Sequence, residues 1–391
     1  MQQVAGVTGL EQPTSSEPTP GEVLAAILLG GFAVTQIVAM PLLAPLLAGA
    51  FGVSGEATGL IGLGNLLGTA LGSLLVTLRL KSLPPRRTTL VSTLLACIAQ
   101  LAICVVPNFS GAIIMESLAG FGAGVLLALS AAIVGASKNP DRGFAFILAL
   151  QAAVAVIVLL AIPALSAAGA LFPTLAFMVV MQGVLVPAAW LLRRTSSSLE
   201  ASQSDGQGGQ REKVTVVLLA GSYFAFSAAV GVVWVYSGVL GGMAGLAAGP
   251  IGQALAIGNV AAVIGSLLAA LIATRFGRLL PLASVCAILL GGVIFFQAGM
   301  SLSDFYVASN LYLFAWGCGL PLFMGAVAEA DSTERVTALL PVMSFAGMGV
   351  GPAVASMLPG GGLFFQVIAA TIGFVIAALA LAGAGRGLAR A

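Results

Sequence analysis

The chain is a succession of apolar runs, each about as long as the hydrocarbon core of a bilayer is thick, separated by short polar connections. A helix needs about 20 consecutive apolar residues to cross that core. Only 7% of the residues are charged, whereas a soluble domain carries about 25%. The chain therefore has too few polar side chains to cover a water-facing surface, and an all-α membrane protein is predicted.

At this length scale the sequence predicts twelve membrane spans, numbered here in chain order. Residues 193–213, rich in Ser, Gly and Gln, are typical of a flexible linker. They separate two six-helix bundles, residues 21–192 and 214–391, and residues 1–20 are expected to form a disordered cytoplasmic tail. The predicted spans are residues 22–48, 57–79, 88–106, 110–136, 143–165, 170–192, 214–238, 251–273, 279–299, 305–328, 336–357 and 362–384.

The basic residues indicate the orientation of these spans. If the N-terminus is inside, all 15 Lys and Arg fall in the inner segments or at the inner ends of spans. Basic residues are retained in the cytoplasm in this way. We expect both termini to be cytoplasmic, in a multi-pass protein of a bacterial inner membrane. The residues are Arg79, Lys81, Arg86, Arg87, Lys138, Arg142, Arg193, Arg194, Arg211, Lys213, Arg275, Arg278, Arg335, Arg386 and Arg390.

Two phrases indicate an internal duplication. "GSLLVTLRL" begins at Gly72, and "GSLLAALIA" begins at Gly265, 193 positions later. The charged pairs Asp141–Arg142 and Glu334–Arg335 are separated by the same offset. Because each copy holds an even number of spans, both copies have one orientation, which makes them parallel repeats. Such repeats suit a transporter whose bundles rock around a central site; a duplication without transport is the alternative.

This arrangement resembles the major facilitator superfamily over nearly the whole chain. "FGVSGEATGLI" (51–61), "ESLAGFGAG" (116–124) and "ATRFGR" (273–278) are similar to local motifs of that family. Thr274 stands where the family motif usually has Asp, and Glu116 stands where it usually has Arg. The resemblance implies two pseudo-symmetric six-helix bundles, with spans 1, 4, 7 and 10 around a central cavity, and leaves the subfamily unassigned.

Glu116 is the only ionisable residue well inside a predicted span. A charge at such a depth costs about 2.5–3.5 kcal/mol on insertion scales, and no Lys or Arg lies within the membrane to pair with it. Glu116 should therefore face a water-filled cavity or hold a proton. It is interpreted as a proton carrier or as a counter-ion for a cationic substrate. The alternative is a protonated side chain that is hydrogen-bonded to a neighbouring helix.

The resemblance also selects candidate substrate residues, because polar or aromatic side chains occur on three of its four cavity spans: Thr35, Gln36, Tyr223, Asn310 and Trp316. They offer hydrogen bonds or stacking faces; the alternative is bonding between helices and packing. Asn65 and Asn259 are interpreted as equivalent structural contacts, and Trp190, Trp234 and Tyr236 as an interfacial belt.

The resemblance further implies that Asp141 with Arg142, and Glu334 with Arg335, form gating ion pairs at the inner surface. A topology signal with solvated charges is the alternative for these four residues.

Several classes of chemistry lack the residues they need. The sequence contains no histidine, its four cysteines have no metal-ligand spacing, and no phosphate loop or nucleophile–base pair is evident. We therefore expect no enzyme activity, no cofactor, no metal and no nucleic-acid partner. The expected partners are a small-molecule substrate, protons and the lipid bilayer, with the chain as a monomer.

The predicted function is secondary active transport of a small organic solute, neutral, amphipathic or weakly cationic, coupled to protons through Glu116. An uncoupled facilitator and an organic-acid transporter are the alternatives within transport. A non-transporting membrane sensor or scaffold is the alternative outside it.

Overall fold

The computed structural model describes residues 17–166, 171–193, 210–272, 279–333 and 335–390. Within these ranges ten helical segments are long and apolar enough to cross a membrane, and two less apolar or shorter helices, spans 3 and 9, complete the predicted twelve. The helices are Pro20–Phe32 with Thr35–Ala50 (span 1), Thr58–Arg79 (span 2), Pro85–Ala102 (span 3), Phe109–Gly135 (span 4), Pro140–Ser166 (span 5), Leu171–Gly183 with Leu185–Ala188 (span 6), Gln210–Met243 (span 7), Ala248–Ile272 (span 8), Leu279–Val293 (span 9), Leu302–Ala330 (span 10), Leu340–Met357 (span 11) and Gly362–Arg390 (span 12).

Some features predicted from the sequence fall on residues outside these ranges. Most of the expected tail and linker, the basic phrase at 273–278 and Glu334 lie outside the described residues.

The ends of spans 6 and 7 that flank residues 194–209 lie on one face of the bundle, together with the first residue of span 1. That face is called here the linker side, and the other face is called the opposite side.

Spans 1 and 9 differ from the sequence prediction, one in its continuity and the other in its length. Span 1 continues through Pro41 but breaks at residues 33–34, after two glycines. Two carbonyls at this break accept side-chain hydrogen bonds, Gly30 O from Gln151 Nε2 at 2.9 Å and Phe32 O from Thr35 Oγ1 at 2.6 Å. Span 9 ends at Val293 rather than residue 299. Its apolar run continues through Phe295, which lies in the turn after the helix, and Phe296, which lies in the irregular segment that follows.

The duplication is visible in the helix contacts. A methyl group added at Gly72 would stand 2.1 Å from Phe121 O, and one added at Gly265 would stand 2.4 Å from Phe314 O. Both members of the second contact follow those of the first by 193 positions. Spans 2 and 4 therefore pack as spans 8 and 10 do, which confirms two copies of one unit. A second pair of contacts has the same offset: Gly124 with Thr69 O, and Gly317 with Ala262 O.

Prolines shape the contact between spans 1 and 7. Pro41 has no N–H, so the carbonyl of Ile37 has no helical partner. The indole N–H of Trp234 donates to that carbonyl at 2.8 Å. One turn further on, Pro45 frees the carbonyl of Pro41 in the same way, and a methyl group added at Gly238 would stand 1.7 Å from that oxygen. The two halves therefore meet backbone to backbone along this line.

Spans 5 and 8 also meet where a proline leaves a carbonyl free and a glycine allows close approach. Pro163 leaves the Leu159 carbonyl without a helical donor, and a methyl group added at Gly252 would stand 2.3 Å from it.

Between spans 7 and 11, the Tyr236 hydroxyl donates to Pro352 O at 3.3 Å. Because Tyr236 and Trp234 are fully buried, the belt predicted for them is wrong. Trp190, at the end of span 6, is 63% exposed.

Burial shows on which side the two halves are closed. Every residue of 33–44 in span 1 and of 225–241 in span 7 is buried, and both stretches lie toward the opposite side. Toward the linker side, span 1 opens, with Leu24 50% exposed and Leu28 and Phe32 half-buried. The halves are therefore sealed on the opposite side and separate toward the linker side.

Candidate functional site

A group of aromatic and amide side chains lies where the seal begins. Gln36 is fully buried, and neither atom of its amide group has a hydrogen-bond partner within the described structure. The backbone oxygen of its neighbour Ile37 accepts a hydrogen bond from the indole N–H of Trp234. The Trp234 ring lies 5.6 Å from the Trp316 ring, centroid to centroid. The Trp316 indole nitrogen is also buried without a partner in the described residues. Spans 1 and 10 therefore both contact Trp234 of span 7.

Gln36 lies within the sealed stretch of span 1, residues 33–44, close to where that stretch begins. On the linker side of it, Leu24, Leu28 and Phe32 follow one another at four-residue spacing on the more exposed face of the first helix. The space between the halves on the linker side is called here the groove. Span 10 repeats the pattern from the other direction. Trp316 ends a stripe that runs through Leu320, Met324 and Ala328, which becomes more exposed toward the linker side.

The other predicted substrate residues have partners of their own. The Thr35 hydroxyl donates to Phe32 O in the same span. Asn310 is half-buried, and its amide donates to Tyr306 O at 2.8 Å in its own helix. Tyr223 is buried and hydrogen-bonded to Ser344 of span 11. Of the five, Gln36 and Trp316 are thus the two whose buried hydrogen-bonding atoms have no partner within the described residues.

Glu116 occupies a second polar group, inside the N-terminal bundle. Its side chain is fully buried. Asn65 Nδ2 of span 2 donates to Glu116 Oε2 at 2.9 Å, and Gln100 Nε2 of span 3 donates to Oε1 at 3.2 Å. The amide oxygens Asn65 Oδ1 and Gln100 Oε1 have no donor within the described structure. Three helices therefore converge on one carboxyl group.

This group is able to hold one proton. In the ionised state both carboxylate oxygens accept from an amide. In the protonated state the carboxyl O–H needs an acceptor, and the two unpartnered amide oxygens belong to the same residues. Amide groups serve both states because each carries a donor and an acceptor. The Gln100 partner was not predicted; a lone Gln near the end of an apolar span was the available signal.

The group exists in only one of the two copies. The positions 193 residues after Asn65, Gln100 and Glu116 are Gly258, Val293 and Ser309. The equivalent helix packing therefore forms without an acidic group. The symmetry expected between Asn65 and Asn259 is wrong, because Asn259 Nδ2 donates to Leu255 O in its own helix.

The linker side carries ion pairs that tie helix ends together. Arg193 Nε lies 2.6 Å from Glu22 Oε1, Lys138 Nζ lies 3.2 Å from Glu17 Oε2, and Arg386 Nη2 lies 3.2 Å from Glu329 Oε2. Each pair joins two elements of the same bundle: the first two pairs lie in the N-terminal bundle and the third lies in the C-terminal bundle.

The predicted gating residues are only partly described. Arg142 is exposed, and its guanidinium lies 5.6 Å from the centre of the Phe146 ring. Arg335 is exposed. The side chain of Asp141 and the whole of Glu334 lie outside the described residues, so both predicted pairs stay predictions.

Asp331 caps the turn that leads into span 11. Its Oδ2 accepts from the backbone N–H groups of Val336 and Thr337, both at 2.8 Å, and Oδ1 accepts from the Thr333 hydroxyl. Burial works to raise the pKa of this carboxyl, but the hydrogen bonds from Thr337, Thr333 and Val336 outweigh it. They hold the pKa below its ordinary value of 3.8. The cap is therefore made by the ionised form.

Comparison with known proteins agrees with this geometry. The sequence profile of the Major Facilitator Superfamily matches residues 25–356. No curated protein matches the sequence. Among solved structures, a bacterial homolog of the human lysosomal transporter Spinster, in an inward-facing and occupied conformation, superposes with a TM-score of 0.71 at 15% identity. The alignment covers 95% of this chain and 97% of that one.

Two further transporters have the same fold. The nucleoside transporter NupG gives a TM-score of 0.71 at 11% identity, covering 95% of this chain and 99% of that one. The human organic anion transporter MFSD10 (TETRAN) gives 0.66 at 16% identity, covering 95% and 100%. With twelve spans, a duplicated bundle and a profile match over most of its length, the chain is a membrane transporter that belongs to the Major Facilitator Superfamily.

Proposed function

We propose that this protein is a secondary active transporter that moves a small organic solute by alternating access, coupled to protons through Glu116. The two bundles, residues 21–192 and 214–391, are the units that move, and the linker side faces the cytoplasm. The observation that carries the coupling is the buried Glu116 carboxyl between two amides that serve both its protonation states.

Alternating access requires a seal that opens on one side as another closes. The seal on the opposite side, made by spans 1 with 7 and 5 with 8, supports a state open toward the cytoplasm. In the alternate state we expect this seal to break and the linker-side helix ends to meet. Arg142 and Arg335, with Asp141 and Glu334, are proposed to contribute to that second seal.

A physical route joins the proton to the seal. Asn65, which binds Glu116, lies on span 2, and its neighbour Leu66 packs against Gly349 of span 11 in the other half. When the Glu116 carboxyl gains a proton, one of its oxygens becomes a donor and its hydrogen bonds rearrange. A shift of span 2 would be passed directly to span 11, because these two helices form part of the contact between the halves.

The solute is proposed to bind near Gln36 and Trp316, with Thr35, Tyr223 and Asn310 as further candidates. A neutral, amphipathic or weakly cationic molecule is favoured, because every Lys and Arg lies at a span end or in a connection. The solved relatives are named for different cargoes, nucleosides for one and organic anions for another. An organic-acid transporter is thus the second candidate for substrate class, and a proton-independent facilitator is the second candidate for mechanism.

The test begins with a thermal-shift ligand screen on purified protein at two pH values, followed by transport of the best compound in proteoliposomes. An inward proton gradient should drive uphill movement in the wild type. Glu116→Gln should lose this accumulation and keep exchange of solute across the membrane. Ser309→Ala, at the equivalent position of the second bundle, is the control and should keep both. Unchanged transport by Glu116→Gln at every pH would identify a facilitator instead.

A further inference from the structure

We infer that the solute carries a neutral lactam-type amide, with a carbonyl and an N–H on the same edge of a flat ring, bound between Gln36 and the Trp234–Trp316 pair. This inference rests on the proposed function, because it specifies the chemistry of the same central site. It follows from the hydrogen-bonding groups that the closed end of the groove leaves unused.

Gln36 supplies the first requirement. Its side-chain oxygen and nitrogen are both buried and both without partners in the described part of the chain. A buried amide group that is left unpaired has lost its hydrogen bonds to water without replacing them. A ligand that fits must therefore offer an acceptor and a donor together. A lactam presents both at the spacing of a primary amide, so that two parallel hydrogen bonds form.

The tryptophan pair supplies the second requirement. The Trp234 indole N–H is already engaged by Ile37 O, which fixes the orientation of that ring. The Trp316 ring, 5.6 Å away and tilted by 55°, has a free indole N–H aimed at no protein acceptor among the described residues. One fixed ring and one free donor suit a flat aromatic ligand whose carbonyl has a second lone pair to offer.

The electrostatics supply the third requirement. The charged residues described on spans 1, 4, 7 and 10 are Glu116, which is held by Asn65 and Gln100, and groups close to the helix ends: Glu22, Arg211, Glu212, Lys213, Asp304 and Glu329. None of the end groups lies near the middle of its helix. A charged ligand at Gln36 would thus give up its hydration without meeting an opposite charge.

Single-function ligands fit less well than a lactam. A carboxylate accepts hydrogen bonds but donates none, so Gln36 Oε1 would stay unpaired. An ammonium group donates but accepts none, so Gln36 Nε2 and Trp316 Nε1 would stay unpaired. A lactam carries the one donor and the two acceptor lone pairs that these three atoms lack.

The probe is quinolin-2-one, a flat aromatic lactam, and its matched control is 1-methylquinolin-2-one, which lacks the N–H. Binding to the purified full chain is measured by isothermal titration calorimetry. We expect the methylated compound to bind at least tenfold more weakly. Gln36→Leu should weaken quinolin-2-one at least tenfold and leave the methylated compound within about twofold. Gln182→Leu, at another buried glutamine with an unpartnered nitrogen, should change neither affinity.

A second variant guards against misfolding. Trp316→Phe keeps an aromatic ring and removes the free N–H, and we expect a three- to tenfold loss of affinity for quinolin-2-one.

The inference is overturned if the two compounds bind wild-type protein equally, if neither binds, or if Gln182→Leu has the same effect as Gln36→Leu. If a charged or non-amide solute binds and is transported while both quinolinones fail, the lactam assignment is wrong and the proposed transport function stands. If no solute of any class is transported, the proposed function itself fails.

Discussion

The indole N–H of Trp234 donates a 2.8 Å hydrogen bond to the carbonyl oxygen of Ile37, across the boundary between the two halves of the transporter. That carbonyl is available because Pro41, four residues further on, has no N–H to fill it. A proline in one bundle thus creates the acceptor that the other bundle uses. The relationship makes Trp234 part of the seal on the opposite side.

We predict that Trp234→Phe weakens this seal. The variant keeps an aromatic ring and leaves the buried Ile37 carbonyl unpaired, at a cost of about 1–3 kcal/mol. In a background without the four native cysteines, Val239→Cys places a thiol beside Gly55 within the seal. Its labelling by a membrane-impermeant maleimide should rise roughly tenfold with Trp234→Phe. The exposed Trp190→Phe is the control. Equal labelling in all three proteins would show that the hydrogen bond does not hold the seal.

Two glycines on the same helix should respond oppositely to alanine. Gly238→Ala would place a methyl group 1.7 Å from Pro41 O, where backbone meets backbone, whereas a methyl group at Gly242 meets nothing within 4 Å. We expect Gly238→Ala to cost about 1–3 kcal/mol, seen as a lower melting temperature in detergent. Gly242→Ala should be neutral or slightly stabilising, since alanine favours helix by up to about 1 kcal/mol. A similar melting temperature for both variants would argue against this close contact.

The hydrogen bonds of Glu116 should contribute to stability independently of transport. Glu116→Gln supplies an acceptor for one amide and a donor for an unpartnered amide oxygen, so its melting temperature should stay close to that of the wild type. Glu116→Leu removes the carboxyl acceptor of both amides. Gln100 Nε2 is then left unpaired, while Asn65 Nδ2 keeps only its 3.3 Å hydrogen bond to the backbone oxygen of residue 116. The variant should destabilise by about 1–3 kcal/mol. Gln182→Leu is the comparison for a change of glutamine to leucine at depth. Equal stability of the Gln and Leu variants at position 116 would contradict the assignment.

Asp331 should make stability depend on pH. The pKa of Asp331 is lowered in the folded protein, so its contribution is fully present above the ordinary value of 3.8 and is lost as the pH falls through the lowered folded value. Asp331→Asn should therefore reduce the free energy of unfolding by about 1 kcal/mol at pH 7. The difference from the wild type should shrink below a pH of about 4. Melting temperatures of both proteins between pH 3 and pH 7 test this, and a constant difference would exclude the cap.

The spans and the duplication could be predicted from sequence because each rests on local patterns. The length of an apolar run is enough to locate a helix in lipid. The constant offset of 193 residues between the repeated phrases can be found without knowing how the helices pack. The break in span 1 was not predicted at residues 33–34. Proline is the residue that usually bends or breaks a helix, yet Pro41 and Pro45 stay inside a helix. Neighbouring side chains at the true break provide the missing hydrogen bonds, which is a tertiary effect.

The site was predictable in its residue types and less so in its geometry. Glu116 stands out in sequence because charge is costly in lipid. Its partner Gln100 does not, since a glutamine 16 residues earlier has no fixed relation to it until spans 3 and 4 pack. Trp234 was interpreted as interfacial because it lies near the end of a predicted span. Span 7 runs on to Met243, so Trp234 lies deeper and faces the other bundle.

The carbonyls that prolines set free also constrain how the transporter can change state. Ile37 O and Leu159 O are covered by Trp234 and Gly252 while the seal is closed. Once the bundles part, no helix donor can replace those neighbours, and hydrocarbon offers none. Hydration must therefore accompany separation, so the opening step should take up water and become slower under osmotic stress from a solute too large to enter.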